Sequence, residues 1–127
     1  MAGGEKLESI IIAITTAIIE GDLEQVKALL KQNPKLVNEH EKEFGETLVH
    51  TAARWGHKDV VDLLLTHGAE VNAQNKVGIT PLFIAANEGH ENVVKLLLAH
   101  GAEINIKTVG GRTLLHVAAG RGLTEVV

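Results

Sequence analysis

Histidine is the residue type best suited to chemistry in this chain, which has seven histidines in 127 residues. A neutral imidazole can ligate zinc, and it can carry a proton near neutral pH. Six of the seven occur in pairs whose members are 33 or 66 residues apart: His50 and His116, His57 and His90, and His67 and His100. Metal ligands must converge on one point, whereas a periodic spread places one side chain on each successive unit. The spacing therefore predicts structural histidines bonded to backbone groups, with only His40 outside the pattern.

Catalytic motifs offer the second route to chemistry, and the sequence lacks them. Ser9 is the one serine and lies in an apolar segment, and the absence of cysteine excludes disulfides and thiolate sites. Gly110 and Gly111 make too short a run for a phosphate-binding loop. Because no nucleophile, base and orienting residue come together, we expect no catalysis, no metal and no cofactor.

The histidine spacing follows from a repeat of 33 residues that organises most of the chain. The unit that begins at Thr80 has counterparts that begin at Thr47 and Thr113. Each unit contains a pair of alanines and then a glycine, and the first two units continue into three leucines and a Gly-Ala pair. A fixed period of this size predicts stacked repeats, which usually function by presenting a surface.

The residues of the middle unit carry a more specific signature. They are Thr80-Pro81-Leu82, Ala85-Ala86, Gly89-His90, Leu97-Leu98, Gly101-Ala102 and Ile104-Asn105. This signature resembles the ankyrin repeat, and the resemblance covers about residues 9–127. The departures are Leu48 and Leu114 for the proline, Phe83 for the first histidine and Leu123 for the second. The resemblance implies an all-α solenoid of stacked antiparallel helix pairs joined by projecting hairpin loops, with little or no regular strand.

The physical roles of these positions agree with that interpretation. Thr80 can cap a helix through its hydroxyl, and Pro81 fits the first helical position, where a missing N–H costs nothing. Gly89 suits the tight turn between two helices, and Gly101 suits a left-handed C-terminal cap. The residues between them give the second helix a broad apolar stripe.

Composition and charge exclude several classes of partner. The net charge is −4, no basic run occurs, and aromatic residues make up 2% of the chain. Nucleic-acid binding therefore lacks both its electrostatic footprint and a stacking platform. The apolar segment at residues 10–19 is shorter than a membrane span, and it lacks the flanks of a signal peptide. We expect no membrane insertion and, from the resemblance, an intracellular (cytoplasmic) location.

The expected organisation is a flexible leader at residues 1–4 followed by one repeat domain at residues 5–127. Residues 5–38 form a diverged N-terminal repeat, in which Pro34 stops the second helix. Residues 39–72 and 73–105 form two repeats, and residues 106–127 form an incomplete C-terminal one. The leucine run that should follow Val127 is missing, so we expect a longer parent protein.

The resemblance implies that a partner is bound by the concave face, meaning the hairpin tips and the exposed ends of the first helices. The residues that we expect to bind it are Glu43, Phe44, Glu46, Arg54, Trp55, Lys76, Val77, Ile79, Asn87, Glu88, Arg112 and Arg121. This set includes the only tryptophan and one of two phenylalanines, and aromatic anchors dominate many interfaces. The alternative for Trp55 is that it packs along the groove between repeats.

We therefore expect a non-enzymatic module that binds another protein. The alternative is self-assembly, as a dimer or end to end, through the Ile-rich first helix and the incomplete last repeat. Ile12 and Ile19 favour it, because both lie off the helical face formed by Leu7, Ile11, Ile14 and Ile18. A third alternative is a repeat segment that serves an enzyme or channel elsewhere in a longer chain.

Overall fold

The computed structural model describes residues 2–112, with side chains from residue 7 onward. These residues form α1 (Ala2–Glu20), α2 (Leu23–Gln32), a short 3₁₀ helix (Pro34–Asn38), α3 (Leu48–Trp55), α4 (Lys58–Thr66), α5 (Pro81–Glu88) and α6 (Glu91–Ala99). No β-strand occurs in this part of the chain. The architecture is an all-α solenoid of helix pairs, as the sequence predicted. The expected last repeat from Thr113 onward, with Arg121, lies outside the described residues.

Each helix pair reverses direction at a glycine. Gly21, Gly56 and Gly89 follow α1, α3 and α5, and their φ angles are 73°, 73° and 78°. Residues with a Cβ rarely adopt this left-handed conformation, so glycine permits the chain to turn within two residues. The turn predicted at Gly89 is confirmed, and the same device pairs α1 with α2, α3 with α4 and α5 with α6.

The first helices of the second and third pairs start at a threonine. The Thr80 hydroxyl oxygen accepts a hydrogen bond from the Phe83 N–H at 3.2 Å, and Pro81 occupies the first helical turn. At the start of α3, His50 Nδ1 accepts from the Thr47 N–H at 3.0 Å and lies 2.9 Å from the Thr47 hydroxyl. These side chains satisfy backbone groups that no helical partner can reach.

Helix α1 departs from the pattern because it has 19 residues where α3 and α5 have eight. It begins at Ala2, so it includes residues that we expected in a flexible leader. Adding turns to an existing helix gains one hydrogen bond per residue fixed, which favours this extension. Helix α2 ends at Gln32, two residues before Pro34, which opens the 3₁₀ helix.

The core is a continuous band between the helix pairs. First helices contribute Ile14, Ile18, Val49, Ala52, Ala53, Leu82, Ala85 and Ala86, and second helices contribute Val26, Leu30, Val60, Val61, Leu64, Val93, Val94 and Leu97, all buried. The alanine pairs fall at equivalent positions in α3 and α5, where their small side chains permit close helix approach. The band leaves the hairpin loops at the surface, and in α5 it covers residues 81–86, which are all buried.

Two histidines at equivalent positions form hydrogen bonds to the backbone of the preceding repeat. His57 Nε2 lies 2.8 Å from the Ile19 backbone oxygen, and His90 Nε2 lies 2.9 Å from the Arg54 backbone oxygen. Both oxygens belong to the last turn of the preceding first helix, where no helical N–H is available. The predicted backbone role of these histidines is confirmed in both places.

Candidate functional site

Three loops project from the stack, two between the described helix pairs and one after α6, and each is closed in the same way. The N–H of the first residue bonds to the backbone oxygen of the last: Glu41 to Glu46 at 2.9 Å, Asn75 to Ile79 at 3.0 Å and Thr108 to Arg112 at 2.9 Å. The first residue also accepts backbone N–H groups through its side chain, three of them in the case of Glu41. Burial raises the Glu41 pKa, but these three hydrogen bonds outweigh it, so its pKa is lowered.

The loop tips are joined to one another through their backbones. The Lys76 N–H donates to the Phe44 oxygen at 2.9 Å, and the Val109 N–H donates to the Val77 oxygen at 2.8 Å. The Lys76 ammonium also donates to the Lys42 backbone oxygen. The tips therefore form one row with fixed spacing instead of three independent loops.

Large apolar side chains stand exposed along this row and at the end of α3. Phe44 is 64% exposed, Val77 is 51% exposed and Trp55 is 52% exposed. A folded chain usually keeps its few aromatic side chains covered, so the solvent exposure of Trp55 and Phe44 is the informative observation. About half of the Trp55 surface is therefore exposed to solvent.

Glu46 and Arg54 pair with each other. The Arg54 nitrogens Nη1 and Nη2 each lie 2.6 Å from one carboxylate oxygen of Glu46, and Asn75 Nδ2 donates to the same carboxylate at 3.3 Å. Burial raises the pKa of Glu46, but the Arg54 hydrogen bonds and charge outweigh it and lower its pKa. The same hydrogen bonds raise the Arg54 pKa. The guanidinium reaches back along α3, so it links the end of this helix to the first loop.

Ile79 and Phe83 lie behind the exposed row. Ile79 is half-buried against the core, and its backbone oxygen lies 2.8 Å from His50 Nε2. One repeat later Phe83 replaces the histidine, and the Arg112 guanidinium carbon lies 5.7 Å from the centre of its ring. Arg112 stands 33 positions after Ile79, so a cation–π contact occupies the place of a hydrogen bond.

The remaining predicted residues are surface side chains. Glu43, Lys76, Asn87 and Glu88 are exposed. The negative charge of Glu88 contributes to the raised pKa of Arg54. The structure therefore brings Glu46, Arg54 and Asn75 into one network and leaves the tips and Trp55 open.

The other histidines within residues 7–112 contact backbone or a single carboxylate. His40 Nδ1 lies 2.7 Å from the Gly45 oxygen, and His67 Nδ1 lies 2.9 Å from the Leu63 oxygen. His100 Nε2 lies 3.8 Å from the Asp62 carboxylate. Across residues 7–112, no three histidine, aspartate or glutamate side chains gather at one point. None of the helices described here is long and apolar enough to cross a membrane.

A groove at the first loop was not predicted from the sequence. Leu7, Ile11 and Ile14 of α1 and Phe44 of the first loop are among its lining residues, and the cavity measures about 900 Å³. The sequence feature that could have indicated the groove is the apolar spacing at positions 7, 11, 14 and 18. This pattern begins well before the positions of α1 that correspond to the start of α3. The sequence did indicate that face, but not that part of it stays uncovered.

Comparison with known proteins identifies the repeat. A family model for ankyrin repeats in three copies matches residues 10–108 and 68–127. An E3 ubiquitin-protein ligase, XBAT32 of Arabidopsis thaliana, is 37% identical over 81 residues, or 64% of this chain and 15% of that protein. The 2-5A-dependent ribonuclease of Mus musculus is 36% identical over 69 residues, or 54% of this chain and 9% of that protein.

A third relative extends the range of proteins that share the segment. M-phase phosphoprotein 8 of Homo sapiens is 41% identical over 66 residues, which are 52% of this chain and 8% of that protein. The chain thus spans 8 to 15% of the length of these relatives. A ligase and a ribonuclease differ in activity, so the feature that they share with this chain is the repeat scaffold.

Proposed function

The chain belongs to the ankyrin repeat family, whose repeats generally mediate protein–protein interaction, and we propose that it binds a partner protein through its concave face. Ankyrin repeat domains are typically non-enzymatic, so recognition is the activity to explain. The observation that carries the proposal is the exposure of Trp55 and Phe44 in a chain with 2% aromatic residues. Tryptophan and other aromatic anchors contribute much of the binding energy at protein interfaces.

The hydrogen bonds of the loops support the proposal, because they hold the binding side chains in place before a partner arrives. Phe44 and Val77 sit on a row whose backbone bonds measure 2.9 and 2.8 Å. Arg54, next to Trp55, is held by two contacts of 2.6 Å to Glu46. A surface fixed in advance loses less conformational entropy on binding, so more of the contact energy appears as affinity.

The predicted residues divide into two roles under this proposal. Glu43, Phe44, Trp55, Lys76, Val77, Asn87, Glu88 and Arg112 are exposed and contact the partner, as does Arg121, which lies outside the described residues. Glu46, Arg54 and Ile79 are more covered and position the others. The charges of the exposed set include both signs, so they select among partners and steer their approach.

Affinity purification with matched variants tests the proposal. Immobilised wild-type protein, Trp55→Ala, Phe44→Ala and Ile104→Ala are compared by quantitative mass spectrometry of the proteins that each retains. Ile104 is an exposed isoleucine away from the loop tips, so it controls for the loss of any apolar surface. We expect specific partners to be lost with Trp55→Ala and Phe44→Ala and kept with Ile104→Ala.

The control on folding is the free energy of unfolding of each variant, measured by urea denaturation. We expect a loss of about 1–2 kcal/mol for Trp55→Ala, because about half of this large side chain is buried, and we expect the variant to remain folded. If Trp55→Ala unfolds the protein, Trp55 is a packing residue. If all variants retain the same proteins, the concave face is not the binding surface.

Self-assembly is a second candidate function, favoured by the exposure of Ile12 and Ile19 on α1. An uncovered pair of isoleucines on one helix can pair with a second copy. Light scattering across a wide range of protein concentration tests it, with Ile12→Glu as the variant. A constant monomer mass rejects self-assembly, and a mass that rises for wild type but not for Ile12→Glu supports it.

A further inference from the structure

The apolar stripe of α1 is longer than the core that covers it. Ile14 and Ile18 are fully buried, Ile11 is half-buried and Leu7 is 46% exposed. These residues are three or four positions apart, so they lie on one face of the helix. The extra length of α1 is at its N-terminal end, because Gly21 and Gly56 align the C-terminal ends of α1 and α3. The stripe therefore continues beyond the start of α3.

The uncovered part of the stripe forms one wall of the groove at the first loop. Phe44 lines the groove from the loop, and buried Leu36 and Leu48 also border it. The cavity measures about 900 Å³, and Leu7 and Phe44 in its lining are 46% and 64% exposed. A space of this size, lined by two exposed apolar side chains, can accept several side chains of another molecule.

The rim of the groove is acidic. Its lining includes five glutamates and two lysines: Glu8, Glu39, Glu41, Glu43, Glu46, Lys35 and Lys42. Glu46 is paired with Arg54, and Glu41 accepts three backbone N–H groups. The three other carboxylates are exposed, so they remain at the rim for an incoming cation.

We propose that this groove binds a cationic amphipathic segment of a partner protein. Apolar side chains of the segment lie between Leu7 and Phe44, and its lysines or arginines pair with Glu8 and Glu43. A second copy of this chain fits less well, because it carries a net charge of −4 and would bring its own glutamates to an acidic rim. The inference rests on the proposed function, since it supplies the chemistry of a protein partner that also contacts Phe44 and Glu43.

Selection from a random-peptide display library tests the groove with the whole chain as target. The library is first depleted on the double variant Leu7→Gln/Glu43→Lys and then selected on wild type. We expect the enriched peptides to carry net positive charge, with apolar residues three or four positions apart. Enrichment of acidic or uncharged peptides, or no enrichment, overturns the proposal.

Affinities of one enriched peptide then assign its contacts. Fluorescence anisotropy with the labelled peptide should give a dissociation constant about fivefold higher for Leu7→Gln and for Glu43→Lys, and weaker binding at high salt. Glu103→Lys makes the same charge change at an exposed site away from the groove and should leave the affinity nearly unchanged. Equal loss with Glu103→Lys means non-specific charge attraction and overturns the proposal.

Two further measurements separate this inference from other outcomes. Trp55 does not line the groove, so Trp55→Ala should leave peptide affinity unchanged even if it removes partners of the concave face. Failure of the groove alone therefore leaves the proposed binding by the concave face intact. If the wild-type protein self-associates and Leu7→Gln abolishes this association, the groove binds a second copy of the chain and the proposal is overturned.

Discussion

The ring of His90 packs directly over the backbone of Gly56, and a Cβ added at Gly56 would lie 2.6 Å from His90 Nδ1. From this position His90 Nε2 reaches the Arg54 backbone oxygen at 2.9 Å. The next residue is Trp55, so the histidine of one repeat fixes the end of the helix that carries the exposed tryptophan of the preceding one. His57 and Gly21 repeat the arrangement, with a distance of 3.0 Å for the equivalent Cβ.

Gly56→Ala should destabilise the protein more than an alanine variant at a glycine whose added Cβ would meet no other atom. The new methyl group meets the His90 ring and the φ angle of 73° disfavours alanine, so we expect a loss of roughly 2–4 kcal/mol. Gly68→Ala is the matched control, because its φ is 91° and no atom lies within 4 Å of the added Cβ. Urea denaturation should give a loss of about 1 kcal/mol for the control, and equal losses would contradict the steric argument.

The stability of the protein should fall as the pH falls below about 6.5. Burial lowers the pKa of His50 from 6.5, more than its bond to the Ile79 oxygen and the charge of Glu46 raise it. As the pH falls, His50 is therefore protonated in the unfolded chain before it is protonated in the folded protein. Its contribution to stability is complete above the pKa of the unfolded state and is lost as the pH falls toward the pKa of the folded state. Protonation would also place a second N–H at Nδ1, which now accepts from Thr47.

The pH dependence is measured by urea denaturation at about pH 7.5 and about pH 5.5. His50→Phe should weaken the dependence, because it removes the buried imidazole and keeps an aromatic ring of the kind that Phe83 supplies one repeat later. His67→Gln is the control, since His67 is exposed. Arg54, Glu46 and His40 also act electrostatically on His50 and remain in both variants. An unchanged slope with His50→Phe would refute the assignment.

The ion pair between Glu46 and Arg54 should contribute about 1 kcal/mol of coupling energy to folding. A double-mutant cycle with Glu46→Gln and Arg54→Met, measured by urea denaturation, isolates this term. The partial exposure of Arg54 keeps the value modest, and two contacts of 2.6 Å keep it above that of most surface pairs. The coupling should decrease in high salt, and additive single losses would mean that the pair does not stabilise the fold.

Arg112→Ala should lower the free energy of unfolding by about 0.5–1 kcal/mol through the lost contact with Phe83. In a Phe83→Leu background the same change should cost almost nothing, because leucine presents no ring to the guanidinium. A full loss in that background would mean that Arg112 stabilises the third loop by another contact. The Arg112 N–H bond to the Thr108 hydroxyl uses only the backbone of Arg112, so Arg112→Ala leaves it in place.

The comparison of sequence and structure separates local from distant contacts. Thr80, Pro81 and Gly89 predicted the start and end of α5 correctly, because caps and turns bond groups within five positions. The 33-residue period predicted the stacking of the helix pairs, because each repeat contacts only its neighbours and must bury its apolar face against them. For His57 and His90, the sequence predicted a hydrogen bond to a backbone group, but it did not predict which residue supplies that group.

The sequence by itself determined the repeat, the all-α class and the positions that stand at the loop tips. The tertiary structure alone decided which of these side chains remain open, because exposure depends on residues 29 to 38 positions away that stacking brings near. It paired Glu46 with Arg54 and left Trp55 uncovered, although both arginine and tryptophan belonged to one predicted set. It also left Leu7 outside the core, because the length of α1 exceeds that of the helix packed beside it.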